Sequence, residues 1–219
     1  FVNVAQKKDS VLDVGSANGL FLNLIACQGY KTLHGIELNH EYAKQSRNGV
    51  LKIFEDSLLD IDFGEQKYDL ITAWEVLEHI PEINEVVKKT YDTLEASGST
   101  YFLTPCLPEN SAYFEHMFGT SLEHIYYFSE KSLKILYKKY FNTDLIVKII
   151  DLPKFESYCA IGFIFKDKTL NEKYARYQKL FDDEEVDLNL FTEQELVDLS
   201  VVYIRMIDDK DKAKKITEH

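Results

Sequence analysis

Val11-Leu12-Asp13-Val14-Gly15-Ser16-Ala17-Asn18-Gly19-Leu20-Phe21-Leu22 is the stretch that decides the fold. It consists of an apolar run interrupted by an acid, then small residues, then a second apolar segment. The first part is typical of a buried parallel strand and the last part of a helix. Gly15 and Gly19 let the backbone between them turn sharply and approach a ligand without a Cβ in the way. The stretch therefore predicts a strand, a ligand-binding turn and a helix.

Two other nucleotide-binding turns have a similar composition, and the spacing excludes both. A dinucleotide fingerprint needs G-x-G-x-x-G, but Ala17 stands at the second glycine position and Asp13 would repel a phosphate. A phosphate-binding P-loop needs Gly-Lys-Ser/Thr, and this chain has Gly19-Leu20-Phe21. An acid beside the turn instead suits a cofactor that carries an amino group and a sulfonium.

The pattern Asp13-x-Gly15-x-x-x-Gly19 at the end of a strand resembles the first motif of the class I S-adenosylmethionine-dependent methyltransferases. The resemblance implies an α/β fold with a Rossmann-like, seven-stranded, mostly parallel sheet and an antiparallel last strand, over residues 1–168. Residues 169–219 are expected to form a helical appendage, because their apolar residues recur every three or four positions. Since Phe1 is not an initiator methionine, we expect the N-terminal helix that covers the cofactor in this family to be missing.

Composition limits the partners and the compartment. The chain has 219 residues, 45% of them hydrophobic, and a formal net charge of −12, which disfavours a nucleic-acid partner. Its three cysteines are widely spaced and form no C-x-x-C pair, so we expect reduced thiols and a cytoplasmic location. No apolar run approaches the roughly 18 residues that a membrane span needs.

Acids that follow the next two strands complete a predicted cofactor site. Glu37 ends the second strand at the interval expected for an acid that accepts hydrogen bonds from both ribose hydroxyls. By resemblance, Asp56 accepts a hydrogen bond from the adenine amino group, with Glu55 as the alternative. The full predicted cofactor set is Asp13, Gly15, Ser16, Ala17, Gly19, Glu37, Leu38, Asp56, Ser57 and Trp74.

A second group of residues predicts the chemistry. Glu75, Glu78 and His79 stand at i, i+3 and i+4 after the fourth strand, a spacing that places them on one helical face. His124 lies in an aromatic-rich insertion after the fifth strand, and we expect His79 and His124 to face one cavity. We predict that Glu75, His79 and His124 are catalytic.

Three roles remain open for these residues. The run Glu75-x-x-Glu78-His79 resembles that of the ubiquinone-biosynthesis O-methyltransferases and the small-RNA 2′-O-methyltransferases, where it binds a divalent metal; His124 is the candidate for the additional histidine ligand. Bacterial sugar and small-metabolite methyltransferases have similar patterns without an established metal. Glu75, Glu78, His79 and His124 therefore bind Mg²⁺ or another divalent ion, supply a histidine base, or make structural hydrogen bonds only.

These patterns predict an enzyme that transfers a methyl group from S-adenosylmethionine to a hydroxyl group of a small metabolite, a sugar or a lipid-like acceptor. The alternatives are an N-methyltransferase and a non-catalytic methyltransferase-like binding domain.

Two predicted tail helices, the second opened by the capping box Thr192-x-x-Glu195, offer a surface for a homodimer. In the first helix, Leu20, Leu24 and Cys27 are expected to form the buried stripe, and the helix after the fourth strand is expected to run from about residue 82 to residue 95.

Overall fold

A computed structural model describes residues 9–26, 30–46, 51–108, 113 and 122–181, with side chains through residue 175. Several sequence predictions lie outside these residues: the second tail helix, the N-terminal covering segment, Cys27 and most of the aromatic insertion between residues 109 and 121. Among the described helices, none combines the length and apolar character that a membrane crossing requires.

Seven strands alternate with helices along most of the chain. The strands are β1 (Ser10–Val14), β2 (Thr32–Ile36), β3 (Lys52–Phe54), β4 (Tyr68–Trp74), β5 (Leu94–Pro105), β6 (Ile146–Leu152) and β7 (Ser157–Phe165). The α-helices are α1 (Leu20–Ala26), α2 (His40–Ser46), α3 (Ile83–Thr93), α4 (Glu130–Lys138) and α5 (Lys168–Phe181). Two short 3₁₀ helices, Leu77–His79 and Pro153–Phe155, follow β4 and β6.

The seven strands form one sheet in the order β3-β2-β1-β4-β5-β7-β6. β1, β2, β3, β4 and β5 pair in parallel, whereas β7 is antiparallel to both β5 and β6. The predicted fold class is therefore confirmed, including the reversed last strand. The order changes direction between β1 and β4, and a ligand in an open α/β sheet binds beside the carboxyl ends of the strands at such a point.

Alternate side chains of the central strands are buried on opposite faces of this sheet. Leu12 of β1 belongs to a large apolar core with Ile71 and Phe102, whereas Val11 belongs to a second core with Leu22 of α1. Both faces are therefore covered, and the strands read as nearly continuous apolar runs for that reason. Against this background, a polar residue within a central strand is conspicuous.

Two local predictions were wrong. Leu22 and Ile25 are the buried residues of α1, whereas Leu20 and Leu24 are each 63% exposed. Because α1 is apolar on several sides, its apolar periodicity is compatible with more than one buried face. The direction in which the chain leaves the turn decides which face is buried. β5 begins at Leu94, which pairs with Tyr68, although the sequence favoured a helix through that position.

The start of α5 is bound to the sheet domain. The chain divides into two units, Phe1–Lys173 and Tyr174–His219. Asn171, which is 2% exposed, accepts a hydrogen bond from the Phe165 amide and donates to Thr143 Oγ1 and to the Asp144 carbonyl. The first residues of α5 therefore belong with the sheet domain, and the helical appendage over residues 169–219 stays a prediction.

We expect a chain that ends at Lys173 to be more stable than one that ends at Lys168. The longer chain keeps the three Asn171 hydrogen bonds, each worth about 1 kcal/mol. Urea unfolding of both truncated chains and of the longer chain with Asn171→Ala would measure the difference. Equal stability of the two truncated chains would show that Asn171 does not contribute.

Candidate active site

The turn after β1 is held against the end of β2. The amides of Gly15 and Ser16 both donate to the Ile36 carbonyl, at 2.8 and 2.9 Å, and the Gly19 amide donates to the Ser16 carbonyl at 2.8 Å. Gly15, Ala17 and Gly19 all have positive φ, at 72°, 44° and 73°. Glycine adopts this conformation without strain, whereas Ala17 is held in it by its surroundings.

A cavity of about 510 Å³ opens beside this turn. It has the size of a small-molecule site. Five of the predicted cofactor residues line it, together with apolar side chains of α1 and β4. The described residues of its wall are Asp13, Gly15, Ser16, Ala17, Asn18, Leu20, Phe21, Ile25, Tyr30, Leu70 and Trp74.

Asp13 is a buried carboxyl group in the wall of this cavity. It is 1% exposed, and its Oδ1 accepts a hydrogen bond from Thr72 Oγ1 at 2.6 Å. Burial raises the pKa of Asp13 to about 7, and the hydrogen bond from Thr72 opposes this effect. At neutral pH this carboxyl group is therefore divided between its charged and its protonated form.

Glu37 holds the turn from the end of β2. Its Oε2 accepts a hydrogen bond from the Ala17 amide at 2.8 Å, and its Oε1 accepts one from the Asn39 amide at 2.7 Å. A carboxylate has about four acceptor positions, so each oxygen keeps one for a further donor. Glu37 thus has the capacity to accept two hydroxyl groups, as the ribose prediction requires.

The other predicted cofactor residues lie at the same edge of the sheet. Leu38 follows β2 and is 70% exposed, and Asp56 follows β3 and is also exposed. The Ser57 hydroxyl accepts a hydrogen bond from the Leu59 amide at 3.3 Å. Glu55, the alternative to Asp56, forms an ion pair with His40 at 2.6 Å. The described residues of the cavity wall do not include Leu38, Glu55 or Asp56.

A cluster of metal-ligand type lies after β4. One ligand atom from each of Glu78, His79 and His124 lies within 4.8 Å of the other two, and the two imidazole centroids are 4.9 Å apart. Glu78 is fully buried, and its Oε2 accepts a hydrogen bond from Thr104 Oγ1 at 2.9 Å. The structure therefore brings His79 and His124 together, as the sequence predicted.

The hydrogen bonds of the two rings identify which nitrogen atoms remain without a hydrogen-bond partner. Nδ1 of His79 lies 3.1 Å from the Glu123 carbonyl, which only accepts hydrogen bonds, so Nδ1 carries the proton. Nε2 of His79 is then the basic nitrogen, and it lies 3.8 Å from Glu78 Oε1. Glu78 Oε1 and His124 Nδ1 are both buried without a hydrogen-bond partner. Such atoms are uncommon in folded proteins, and each leaves its side chain with an atom that can bind a further group.

Glu75 does not share a helical face with Glu78 and His79. Its φ is 54°, and its amide still donates to the Leu103 carbonyl of β5 at 2.8 Å. The helical prediction was therefore wrong for Glu75, because the chain is still paired with the sheet at that residue.

The carboxyl group of Glu75 instead contacts Cys159 of β7, whose Sγ lies 3.8 Å from Oε1. Burial and the neighbouring Glu78 raise the pKa of Glu75 to about 7. A second carboxyl group at this site is therefore partly protonated at neutral pH.

Three residues that the sequence did not single out support the site: Thr72, Thr104 and Tyr30. Thr72 is the register partner of Asp13 on the neighbouring strand, and Thr104 ends β5 beside Glu78. Both are buried hydroxyls with apolar neighbours on either side in the sequence, which is the signal that identifies them in retrospect. Tyr30 precedes β2 and lies in the described wall of the cavity.

The fold, the glycine turn and the adjacent cavity are those of a class I S-adenosylmethionine-dependent methyltransferase. Comparison with known sequences agrees, because residues 2–140 match the family described as "Methyltransferase domain". The chain belongs to this family, which confirms the resemblance seen in the sequence. The match covers the turn, the cavity residues, the Glu78 cluster and α4.

More distant relatives agree with the class. The ubiquinone biosynthesis O-methyltransferase of Pseudomonas savastanoi pv. phaseolicola is 30% identical over 111 residues, which cover 47% of this chain and 46% of the relative. This chain spans about half the length of the curated relatives it matches. A methyltransferase from Archaeoglobus fulgidus has a TM-score of 0.59 at 17% identity, covering 74% of this chain and 89% of the other.

A third similar structure is the geranyl diphosphate C-methyltransferase of Streptomyces coelicolor A3(2). Its TM-score is 0.57 at 13% identity, and the likeness covers 71% of this chain and 73% of the other. At such low identity, the likeness to these structures shows the fold alone.

We expect Gly15→Ala to damage the site far more than Gly64→Ala. A Cβ at position 15 would overlap Cγ2 of Val76, whereas a Cβ at position 64 would meet no atom within 4 Å; both glycines have positive φ. Gly64→Ala should therefore cost about 1 kcal/mol of backbone strain, and Gly15→Ala about 2–4 kcal/mol through added overpacking. Urea unfolding and S-adenosylhomocysteine titration would measure both variants. Similar losses in both would mean that the Val76 contact is unimportant.

Proposed function

We propose that this protein transfers a methyl group from S-adenosylmethionine to a hydroxyl group of a small acceptor. The observation that carries the proposal is the Glu78, His79 and His124 cluster beside the cofactor turn. Val76, whose side chain occupies the space next to Gly15, is the N-cap residue of the 3₁₀ helix that holds Glu78 and His79. The turn and the cluster are thus connected by one side-chain contact.

The sulfonium of the bound cofactor supplies an activated methyl group. The chain must hold this group and the acceptor oxygen in line, and positioning of this kind removes a large part of a reaction barrier. The acceptor proton is the remaining obstacle. To form a free alkoxide at pH 7 from a group as weakly acidic as water costs about 12 kcal/mol, at about 1.36 kcal/mol per pKa unit.

One way to remove the proton uses the two imidazoles. Because the Glu123 carbonyl holds Nδ1 of His79 in its protonated form, Nε2 is free to accept a proton. Glu78 Oε1, which lies 3.8 Å from this nitrogen, stabilises the imidazolium that results. A histidine base of this kind suits an acceptor hydroxyl more acidic than an ordinary alcohol.

The same cluster also fits a divalent metal. One carboxylate and two imidazoles are suitable ligands, and the unpartnered Glu78 Oε1 and His124 Nδ1 are buried as ligand atoms would be. Thr104 orients the Glu78 carboxylate, as a supporting residue does around a metal. A bound ion would stabilise negative charge on the acceptor oxygen. Glu75 is not one of the clustered ligand atoms among the described residues.

For the acceptor we propose a small metabolite, a sugar or a lipid-like molecule. The relatives named ubiquinone biosynthesis O-methyltransferase support O-methylation over N-methylation. N-methylation remains the second enzymatic proposal, and a non-catalytic binding role is the third. A cytoplasmic location suits the free thiols of Cys106 and Cys159, and a homodimer through the tail helices remains a proposal.

We expect Glu37→Ala to weaken S-adenosylhomocysteine binding strongly. Two hydrogen bonds from ribose to a charged acceptor are worth roughly 1.5–3 kcal/mol each, less what water restores. Isothermal titration calorimetry should show at least a ten-fold higher Kd, whereas Glu65→Ala at an exposed position should leave it unchanged. Equal Kd values for Glu37→Ala and the parent would disprove the ribose assignment.

The metal and the histidine base predict different behaviour. If a metal acts, chelation should abolish S-adenosylhomocysteine formation on a panel of phenols, sugars and aliphatic alcohols, and Mg²⁺ or Mn²⁺ should restore it. If His79 is the base, activity should resist chelation and fall with decreasing pH, and His79→Gln should remove that acidic limb. Activity that survives both chelation and His79→Gln would exclude the metal and would exclude His79 as the base.

A further inference from the structure

A second cavity, of about 510 Å³, lies beside the start of α4. Apolar parts of its described wall come from Pro108 after β5, Ile149 of β6 and Ile135 of α4. Lys131 and Lys134 of α4 add two positive charges to this wall, in a chain whose formal net charge is −12. The methyl-transfer chemistry uses none of these residues.

Both lysines are available to a ligand. Lys131 is exposed and has no ion pair among the described residues. Lys134 pairs with Glu130 one turn earlier, and the two side chains are 49% and 48% exposed. Exposed pairs of this kind contribute little to stability, so Lys134 can exchange Glu130 for another anion. Glu130 is the only acid among the described wall residues, which leaves an excess of one positive charge there.

The backbone at the start of α4 is capped by the protein's own side chains. Ser129 Oγ accepts a hydrogen bond from the Ser132 amide at 3.2 Å, and Ser132 Oγ accepts one from the Ser129 amide at 2.9 Å. The Cys106 thiol accepts a further bond from the Glu130 backbone. Because these amides have partners, recognition of a ligand falls to the lysines, and the helix dipole adds to their positive potential.

One row of the sheet connects this cavity with the Glu78 cluster. Thr104 of β5, which donates to Glu78, pairs with Ala160 of β7, and Ala160 pairs with Ile149 of β6. Paired residues point to the same face of a sheet, and neighbouring strands lie about 4.8 Å apart, so Thr104 and Ile149 are roughly 10 Å apart. The cluster and the cavity are therefore separated by no more than the length of a small molecule.

The cavity lies on the side of the cluster away from the cofactor turn. The strand order is β1-β4-β5-β7-β6; the turn follows β1, and the cluster follows β4. A molecule whose hydroxyl group faces His79 would extend toward β6 and reach the lysines. Charge favours the same orientation, because the carboxyl groups of Glu75 and Glu78 would repel an anionic group that the lysines attract.

We propose that this cavity binds the anionic group of the acceptor, a carboxylate or phosphate attached to an apolar part, and that Lys131 and Lys134 determine this specificity. The inference deepens the proposed function and rests on it for the assignment to the acceptor. Pro108, Ile135 and Ile149 contact the apolar part.

Titration of the full chain with three probes, followed by ¹H–¹⁵N NMR, tests the inference. 3-(4-Hydroxyphenyl)propionate and its amide differ in the charged group alone, and inorganic phosphate lacks the apolar part. The carboxylate should bind at least about five-fold more tightly than the amide at low salt, as expected for solvent-exposed ion pairs. It should shift the amide signals of residues 131–135 and those of Ile125 and Tyr126, which bond to the Glu78 carbonyl, whereas phosphate should shift only the first group.

Lys131→Gln combined with Lys134→Gln should abolish the preference for the carboxylate over the amide, and Lys138→Gln should retain it. Lys138 lies on the same helix, but it pairs with Asp144 and is not among the described wall residues. The same preference in the double variant as in the parent, or no binding of either anion to the parent, would overturn the inference. Shifts confined to α4 with the carboxylate would overturn the assignment to the acceptor.

These titrations need neither cofactor nor turnover, so they separate the inference from the proposed function. If the acceptor panel yields no S-adenosylhomocysteine although anions bind, the methyl-transfer proposal fails and the anion site stands. For an anionic acceptor that is methylated, the double variant should raise KM and leave kcat unchanged, whereas the KM of a neutral acceptor should not change.

Discussion

The contact between Gly15 and Val76 is the constraint on which the site depends. Cγ2 of Val76 occupies the space that any side chain at position 15 would need. On its other side, the turn is held by hydrogen bonds from the Gly15 and Ser16 amides to the Ile36 carbonyl at the end of β2. The same contact places the 3₁₀ helix Leu77–His79 beside the turn, so one close approach connects the proposed donor and acceptor sites.

Buried carboxyl groups give the site its chemical character. Asp13, Glu75 and Glu78 lie at the carboxyl ends of neighbouring strands or just after them, and each contacts a hydroxyl or thiol group. Desolvation raises the pKa of both Asp13 and Glu75 to about 7. Such a site favours a ligand with positive charge or hydrogen-bond donors, and S-adenosylmethionine has both.

The cluster of Glu78, His79 and His124 shows how distant parts of the chain are fixed together. The Glu78 carbonyl accepts hydrogen bonds from the amides of Ile125 and Tyr126, at 2.8 and 3.1 Å. The Glu123 carbonyl accepts one from His79. Hydrogen bonds to backbone carbonyls thus attach residues 123–126 to the 3₁₀ helix. This attachment sets the position of the His124 ring. A base and a metal ligand both require fixed positions, and these hydrogen bonds help to fix them.

The sequence by itself determined the sheet, the glycine turn, the class of cofactor and the pairing of His79 with His124. These follow from local patterns: apolar runs, glycine spacing, and acids at strand ends that a parallel sheet brings to one edge. Only the tertiary structure decided which side of α1 is buried, that Glu75 turns toward Cys159, and that Thr72 and Thr104 support buried carboxyl groups. These features depend on contacts between strands that are distant in sequence, and periodicity along one segment carries no information about what faces it.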